Sequence, residues 1–273
     1  MSAVDQLFAR LRSENQKALM PFFTAGDPNL ETTAEVIRAA EAAGANLCEV
    51  GVPYSDPIAD GPVIQASYQR ALDQGFRLQQ VLDLGSSLSN DVAMPLVTMV
   101  SYAIIYRIGL QAYVDRAKAA GYAGAIVPDL LVEEAAPLAE ICQQSDFSLI
   151  QLVTPTTPRE RQVQIAESSS GFLYYVSVTG ITGERSELPP DLVENVGWLR
   201  EQTELPICIG FGISGSETAA QLAPVADGLI VGSAIVRRVA KAADQASAAN
   251  AVSDFVRELR QAIDTAVAET GSA

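Results

Sequence analysis

The 273-residue chain contains no histidine. That absence removes His-dependent triads, Cys-His nucleophile pairs and histidine metal sites together. Lysine is scarce too. Lys17, Lys118 and Lys241 all fall in helical patterns, and none stands at the carboxyl end of a candidate strand, where a Schiff-base amine would belong. Cysteine is limited to Cys48, Cys142 and Cys208, an odd number, widely spaced in apolar surroundings. This pattern fits reduced core thiols better than disulfides or a metal cluster. No apolar stretch approaches bilayer length, and the amphipathic start DQLFARLRSENQK lacks the basic head and apolar middle of an export signal, so a cytoplasmic protein is expected, away from membranes. Positive charge is short as well: 18 Lys and Arg stand against 33 acids, a net charge of −15. Nucleic acid is therefore not an expected partner, because phosphate neutralisation needs clustered cations.

What is present is a regular alternation. Short β-branched runs start at Leu19 (LMPFFT), Asn46 (NLCEV), Pro95 (PLVTMV), Gly124 (GAIVP), Ser148 (SLIQLV), Phe172 (FLYYVS), Pro206 (PICIG) and Gly228 (GLIVG). Amphipathic stretches such as ETTAEVIRAAEAAG and LQAYVDRAKAAG lie between them. Thr157 to Glu160 and Ser214 to Glu217 have capping-box spacing. With no linker or composition shift, residues 1–273 read as one domain. Eight strand-then-helix units match an α/β fold of the (β/α)8 TIM-barrel type with an extra N-terminal helix, and an open doubly wound sheet is the alternative.

In such a barrel the chemistry belongs at the carboxyl ends of the strands. The second candidate strand runs into EVGVPYSDPIADGP, residues 49–62, where Glu49, Asp56 and Asp60 alternate with Pro53, Pro57 and Pro62. Prolines fix φ, so this loop holds its carboxylates in place. By the period of two, Glu49 shares a face with Leu47 while Cys48 and Val50 share the other. A carboxyl half buried in an apolar barrel mouth has a raised pKa suited to acid or base work. A second signal is a set of glycine turns after the last three strands, TGITGERSELPP, GFGISGSE and VGSAIV. Amides there bind anions without lysine, and the contacts expected for a phosphate are Gly183, Gly212, Gly232 and Ser233, the last with its hydroxyl as well. Each residue also has a structural reading. Glu49 as a salt-bridged barrel acid, Asp60 as a helix cap, the glycines as ordinary turns and Tyr174 as core remain open on the residues alone.

The segment from Glu49 to Pro62 resembles the signature of the tryptophan synthase alpha subunit family, and the likeness runs from PFFTAGDP at Pro21 through GFLYYVSVTGITG to GFGIS and DGLIVGSAIV. The resemblance implies a (β/α)8 barrel lyase of tryptophan biosynthesis. It would cleave indole-3-glycerol phosphate to indole and glyceraldehyde 3-phosphate by a retro-aldol reaction. It further implies an alpha2beta2 complex with a beta subunit, with no cofactor in this chain and pyridoxal phosphate only in the beta partner. By position, Glu49 matches the family's acid/base, Asp60 the carboxylate that meets the indole N–H and Tyr174 the supporting tyrosine. Phe22 and Phe211 match aromatic contacts, Tyr102 a further substrate contact, and Thr182 and Gly183 fall in a lid. That lid, residues 179–189, is expected to be mobile when empty.

Two segments depart from the family pattern. Tyr102-Ala103-Ile104-Ile105 replaces Tyr-x-Asn-Pro, and Asp129-Leu130-Leu131 replaces Asp-Leu-Pro. Both are expected on the rim that docks the beta subunit, with a co-adapted partner as the simplest account. Two other functions stay open: a free-standing lyase that releases indole without a beta chain, and a catalytically silent alpha-like subunit that activates a partner.

Overall fold

A computed structural model of the chain describes residues 1–57, 60–176, 191–210 and 212–270. Nine parallel strands are found among them: β1 (Ala18–Thr24), β2 (Cys48–Gly51), β3 (Leu96–Met99), β4 (Tyr122–Ile126), β5 (Ser148–Ile150), β6 (Leu152–Val153), β7 (Leu173–Val176), β8 (Ile207–Gly210) and β9 (Gly228–Val231). Their order in the sheet is β5-β4-β3-β2-β1-β9-β8-β7-β6. Both edges therefore belong to one stretch of chain, interrupted only at Gln151. The sheet closes on itself as eight barrel strands, the fifth split in two, which excludes the open doubly wound alternative.

The period of two sorts the side chains into two layers. Met20, Phe22, Leu47, Val97, Met99, Ile126, Ile150, Phe172, Tyr174, Cys208 and Ile230 fill the barrel interior. Leu19, Phe23, Cys48, Val50, Leu149, Leu173, Tyr175, Ile209 and Leu229 face outward and pack against the helices. Leu47 therefore points inward and Cys48 and Val50 outward, as the alternation requires. All three cysteines are buried and free.

The N-terminal helix Ala3–Ser13 closes the end of the barrel opposite the strands' carboxyl ends. Val4, Leu7, Phe8 and Leu11 recur at helical spacing and join the interior cluster, with the Phe8 ring 5.7 Å from that of Phe172. The helix begins at a complete capping box, with Ser2 Oγ accepting from the Asp5 amide and the Ser2 amide donating to Asp5. The two boxes expected from sequence do not form. The helix Arg159–Glu167 is capped by Pro158, because the Thr157 hydroxyl turns back to accept from the Thr154 amide, and Ser216–Leu222 starts at Gly215 without a side-chain cap. Lys17 falls outside the helix its pattern suggests, in the connector ahead of β1. A 26-residue helix, Gln245–Thr270, lies across Leu30–Ala42 and ties down through Arg260, which donates to the Lys17 carbonyl and Asn46.

The helix Pro62–Asp73 positions the mouth. It starts at Gly61 with proline in its first turn. Two contacts, three hydrogen bonds in all, clamp it to the end of β1 and the turn after it: Ser67 and Thr24 share a buried hydroxyl contact at 2.6 Å, and Arg70 grips the buried Asp27 carboxylate with two hydrogen bonds. Bidentate pairing fixes geometry as well as charge.

Candidate active site

Glu49, the second residue of β2, sits opposite Phe22 of β1 and Val97 of β3, with no surface exposed to solvent. Neither carboxylate oxygen has a hydrogen-bond partner. A buried ion without a partner is costly, so burial pushes its pKa well above the usual carboxylate range and favours the neutral acid. The salt-bridged reading of Glu49 is thereby excluded.

Asp60 stands at the end of the following loop, where Gln65 Nε2 donates to its backbone carbonyl and to that of Pro57. The helix cap is Gly61, so Asp60 is not spent on capping. Partial burial raises its pKa to about 6, leaving it largely ionised at neutral pH. Asp56, the third acid of the segment, is exposed and accepts from Ser55. Strand and loop thus present one fully buried and one half-buried carboxyl in different surroundings, an arrangement that can separate acid from acceptor roles.

One cavity at the carboxyl ends of the strands brings these groups together. Phe22, Glu49, Asp60, Ile64, Met99, Tyr174 and Ile230 form its apolar and acidic side, and Gly212, Ser214, Gly232, Ser233 and Arg237 form the other. Tyr174, in β7, is 6% exposed, and its hydroxyl pKa is raised by burial and then by Glu49 and Asp60. Its ring needs Gly210: a Cβ there would lie 2.3 Å from the Tyr174 hydroxyl. Gly232 and Ser233 start the helix Ser233–Lys241 with their amides at its N-terminus, and Gly212 turns the chain after β8 with φ of 79°. Free amides at a helix start favour an anion.

The likeness to known proteins agrees with this geometry. A family model described as tryptophan synthase alpha chain matches residues 8–264. A tryptophan synthase alpha chain from Rhodopirellula baltica is 69% identical and covers 97% of this chain and 100% of its own length. This chain belongs to the tryptophan synthase alpha chain family. A family member from Synechocystis sp. is 46% identical over 96% of this chain and 100% of its own. The crystal structure of tryptophan synthase subunit alpha from Legionella pneumophila str. Paris superimposes with a TM-score of 0.88 at 32% identity, covering 97% of this chain and 99% of that one. The alpha reaction of tryptophan synthase is a lyase reaction, and the chain is a lyase of that family.

Of the sequence-based site residues, Glu49, Asp60, Tyr174, Phe22, Gly212, Gly232 and Ser233 converge on the cavity. Tyr102 does not line it. Its amide is held by Asp129, which also accepts from Ser101, and its ring leans on Tyr106 at 6.1 Å. Thr182, Gly183 and Phe211, with the lid at 179–189, lie outside the described residues. The departures from the tryptophan synthase alpha pattern also separate. Ile105 is completely buried among the helices, so it is a core residue and does not form part of the rim as expected, whereas Leu131 is 55% and Tyr106 72% exposed. Arg237 and Tyr68 were not anticipated. Arg237 follows Ser233 by four residues and so returns to the same helix face, a spacing that could have flagged it. Tyr68 carries no such signal, because only the clamped helix brings it to the mouth.

Proposed function

We propose that Glu49 and Asp60 carry the retro-aldol cleavage of indole-3-glycerol phosphate to indole and D-glyceraldehyde 3-phosphate. The observation that carries this reading is the pairing of a fully buried, partnerless Glu49 with a half-buried Asp60 in a cavity whose far side carries the glycine turns and a helix start. Cleavage needs an electron sink, and the indole ring supplies one. Neutral Glu49 protonates indole C3, giving an indolenine cation whose N–H donates to ionised Asp60. Glu49, now a carboxylate, takes the proton of the glycerol hydroxyl next to the ring. That oxygen becomes a carbonyl, the bond to C3 breaks, and its electron pair restores the aromatic indole. The acid ends as it began, with no net proton taken up. Tyr174 and Phe22 wall the ring. Gly212, Gly232 and Ser233, joined by the Arg237 guanidinium, hold the phosphate, with Gly183, Thr182 and Phe211 completing the closure.

The chain acts as one barrel domain in the cytoplasm, carries no cofactor, and docks a beta subunit that holds pyridoxal phosphate in an alpha2beta2 complex. The exposure of Tyr106 and Leu131 supports a docking rim at this position. Indole release by the full-length chain, alone and with an added beta chain, tests the whole reading. Slow turnover that the beta chain accelerates is the expected result. Full activity alone identifies a free-standing lyase, and none in either state identifies a silent subunit.

A further inference from the structure

Gln65 is an exposed residue near the start of the Pro62–Asp73 helix. Other exposed glutamines on helices, Gln69, Gln79 and Gln111, donate to an aspartate four residues further along. Gln65 reaches the other way. Its Nε2 donates to the Asp60 carbonyl at 2.8 Å and to the Pro57 carbonyl at 3.2 Å, so both hydrogens of the amide are spent on the loop that carries Asp60. The Pro57 carbonyl also accepts from the Asp60 amide at 3.1 Å. Asp60 is thus held through its main chain on both sides, by Pro57 at its amide and by Gln65 at its carbonyl. At the start of the Arg159–Glu167 helix, Gln162 makes a one-bond version of this contact, to the Thr157 carbonyl. The fork at Gln65 adds a second carbonyl and so ties both ends of the stretch 57–60.

The support behind Gln65 is rigid. Its own amide donates to the Gly61 carbonyl at 3.0 Å, and its helix is fixed further along by the Thr24–Ser67 and Asp27–Arg70 contacts. Strand, helix and loop are therefore connected in series: the end of β1 holds the helix, the helix holds Gln65, and Gln65 holds the main chain of Asp60. We propose that Gln65 is a positioning residue for the alpha reaction, whose forked hydrogen bonds set the Asp60 carboxylate where the indole N–H develops its charge. The inference rests on the role of Asp60 proposed above. An exposed side chain contributes little to stability, so the effect of these bonds is read in placement. Placement matters to rate, since a shift of about 1 Å in a reacting group can cost about a hundredfold.

Gln65→Met keeps the length of the side chain and removes both donors. In the full-length chain its kcat for indole release should fall by about tenfold while KM stays within about twofold, because the phosphate is held across the cavity and Asp60 acts on charge that develops in the transition state. Its thermal unfolding should stay within about 2 °C of the native chain. Gln65→Glu, of the same shape but ionised and without a donor, should lose at least as much kcat. The deciding comparison is the double variant. In an Asp60→Asn background, Gln65→Met should change kcat by less than about twofold, since no carboxylate is left to place. Hydrogen exchange of the ligand-free chain gives a readout without catalysis: the Asp60 amide should exchange about tenfold faster or more in Gln65→Met. Native kcat in both Gln65 variants, an equal loss in the native and Asp60→Asn backgrounds, or an unchanged Asp60 amide overturns the proposal. Failure of the Asp60 role is separate: it appears as native turnover in Asp60→Asn while the Asp60 amide still exchanges faster in Gln65→Met.

Discussion

The two ends of the barrel are built to opposite standards. At the closed end, the helix Ala3–Ser13 satisfies its own start with a capping box, Ser2 also meets Ser148 in a buried hydroxyl contact at 2.7 Å, and Phe8 packs on Phe172. At the open end, Glu49 is buried with two bare oxygens, Asp60 is pushed up to about 6, and glycines stand where side chains would collide with rings. One end satisfies most of its polar groups, the buried Arg260 Nε excepted, and contributes stability. The other leaves polar groups unsatisfied that only a ligand can complete, which is how stability is traded for activity at a functional site.

Substitutions should keep the two ends apart. The largest effect is expected at the closed end, where Phe8→Ala should lower unfolding free energy by about 3–5 kcal/mol through lost burial and a cavity. Its kcat should stay within about twofold, since well-separated sites act independently. A large loss of kcat in a still-folded Phe8→Ala protein would break the division. At the open end, Asp60→Asn should cost about a hundredfold in kcat/KM, the scale of losing one charge-stabilising partner. In the native chain, activity should climb as Asp60 ionises through about pH 6, and that ascending limb should vanish in the asparagine variant. Its survival would assign the ionisation elsewhere.

A smaller effect concerns stability and sharpens the contrast. The folded-state pKa of Glu49 is raised above its unfolded value, so its unfolded form ionises first as pH rises. The stability present below the unfolded pKa is then lost progressively as pH climbs towards the folded one. Glu49→Gln removes this liability and should unfold a few degrees higher than the native chain near neutral pH, with the gap closing in mild acid. A gap independent of pH would show that Glu49 is not the ionising group.

Much of this was legible in the residues. Eight apolar runs gave the strands, and the alternation Leu47-Cys48-Glu49-Val50 set the acid facing inward because a barrel strand tolerates only one registry of its faces. The proline-fixed loop marked Asp60. What escaped depended on contacts between segments distant in sequence. Tyr68 reaches the mouth only because its helix is pinned to the end of β1. Tyr102 is drawn aside by Asp129, and Ile105 turns into the helical layer. The expected box at Thr157 failed because its hydroxyl found a nearer amide at Thr154, a local competition that spacing alone does not resolve.

The most direct measurement is single-turnover cleavage of indole-3-glycerol phosphate by Glu49→Gln, with substrate affinity determined on the same protein. A glutamine of the same shape should bind substrate nearly as tightly while cleavage falls by about a thousandfold or more, because the proton for indole C3 is gone. Cleavage near the native rate with binding intact would contradict the assignment of Glu49 as the acid.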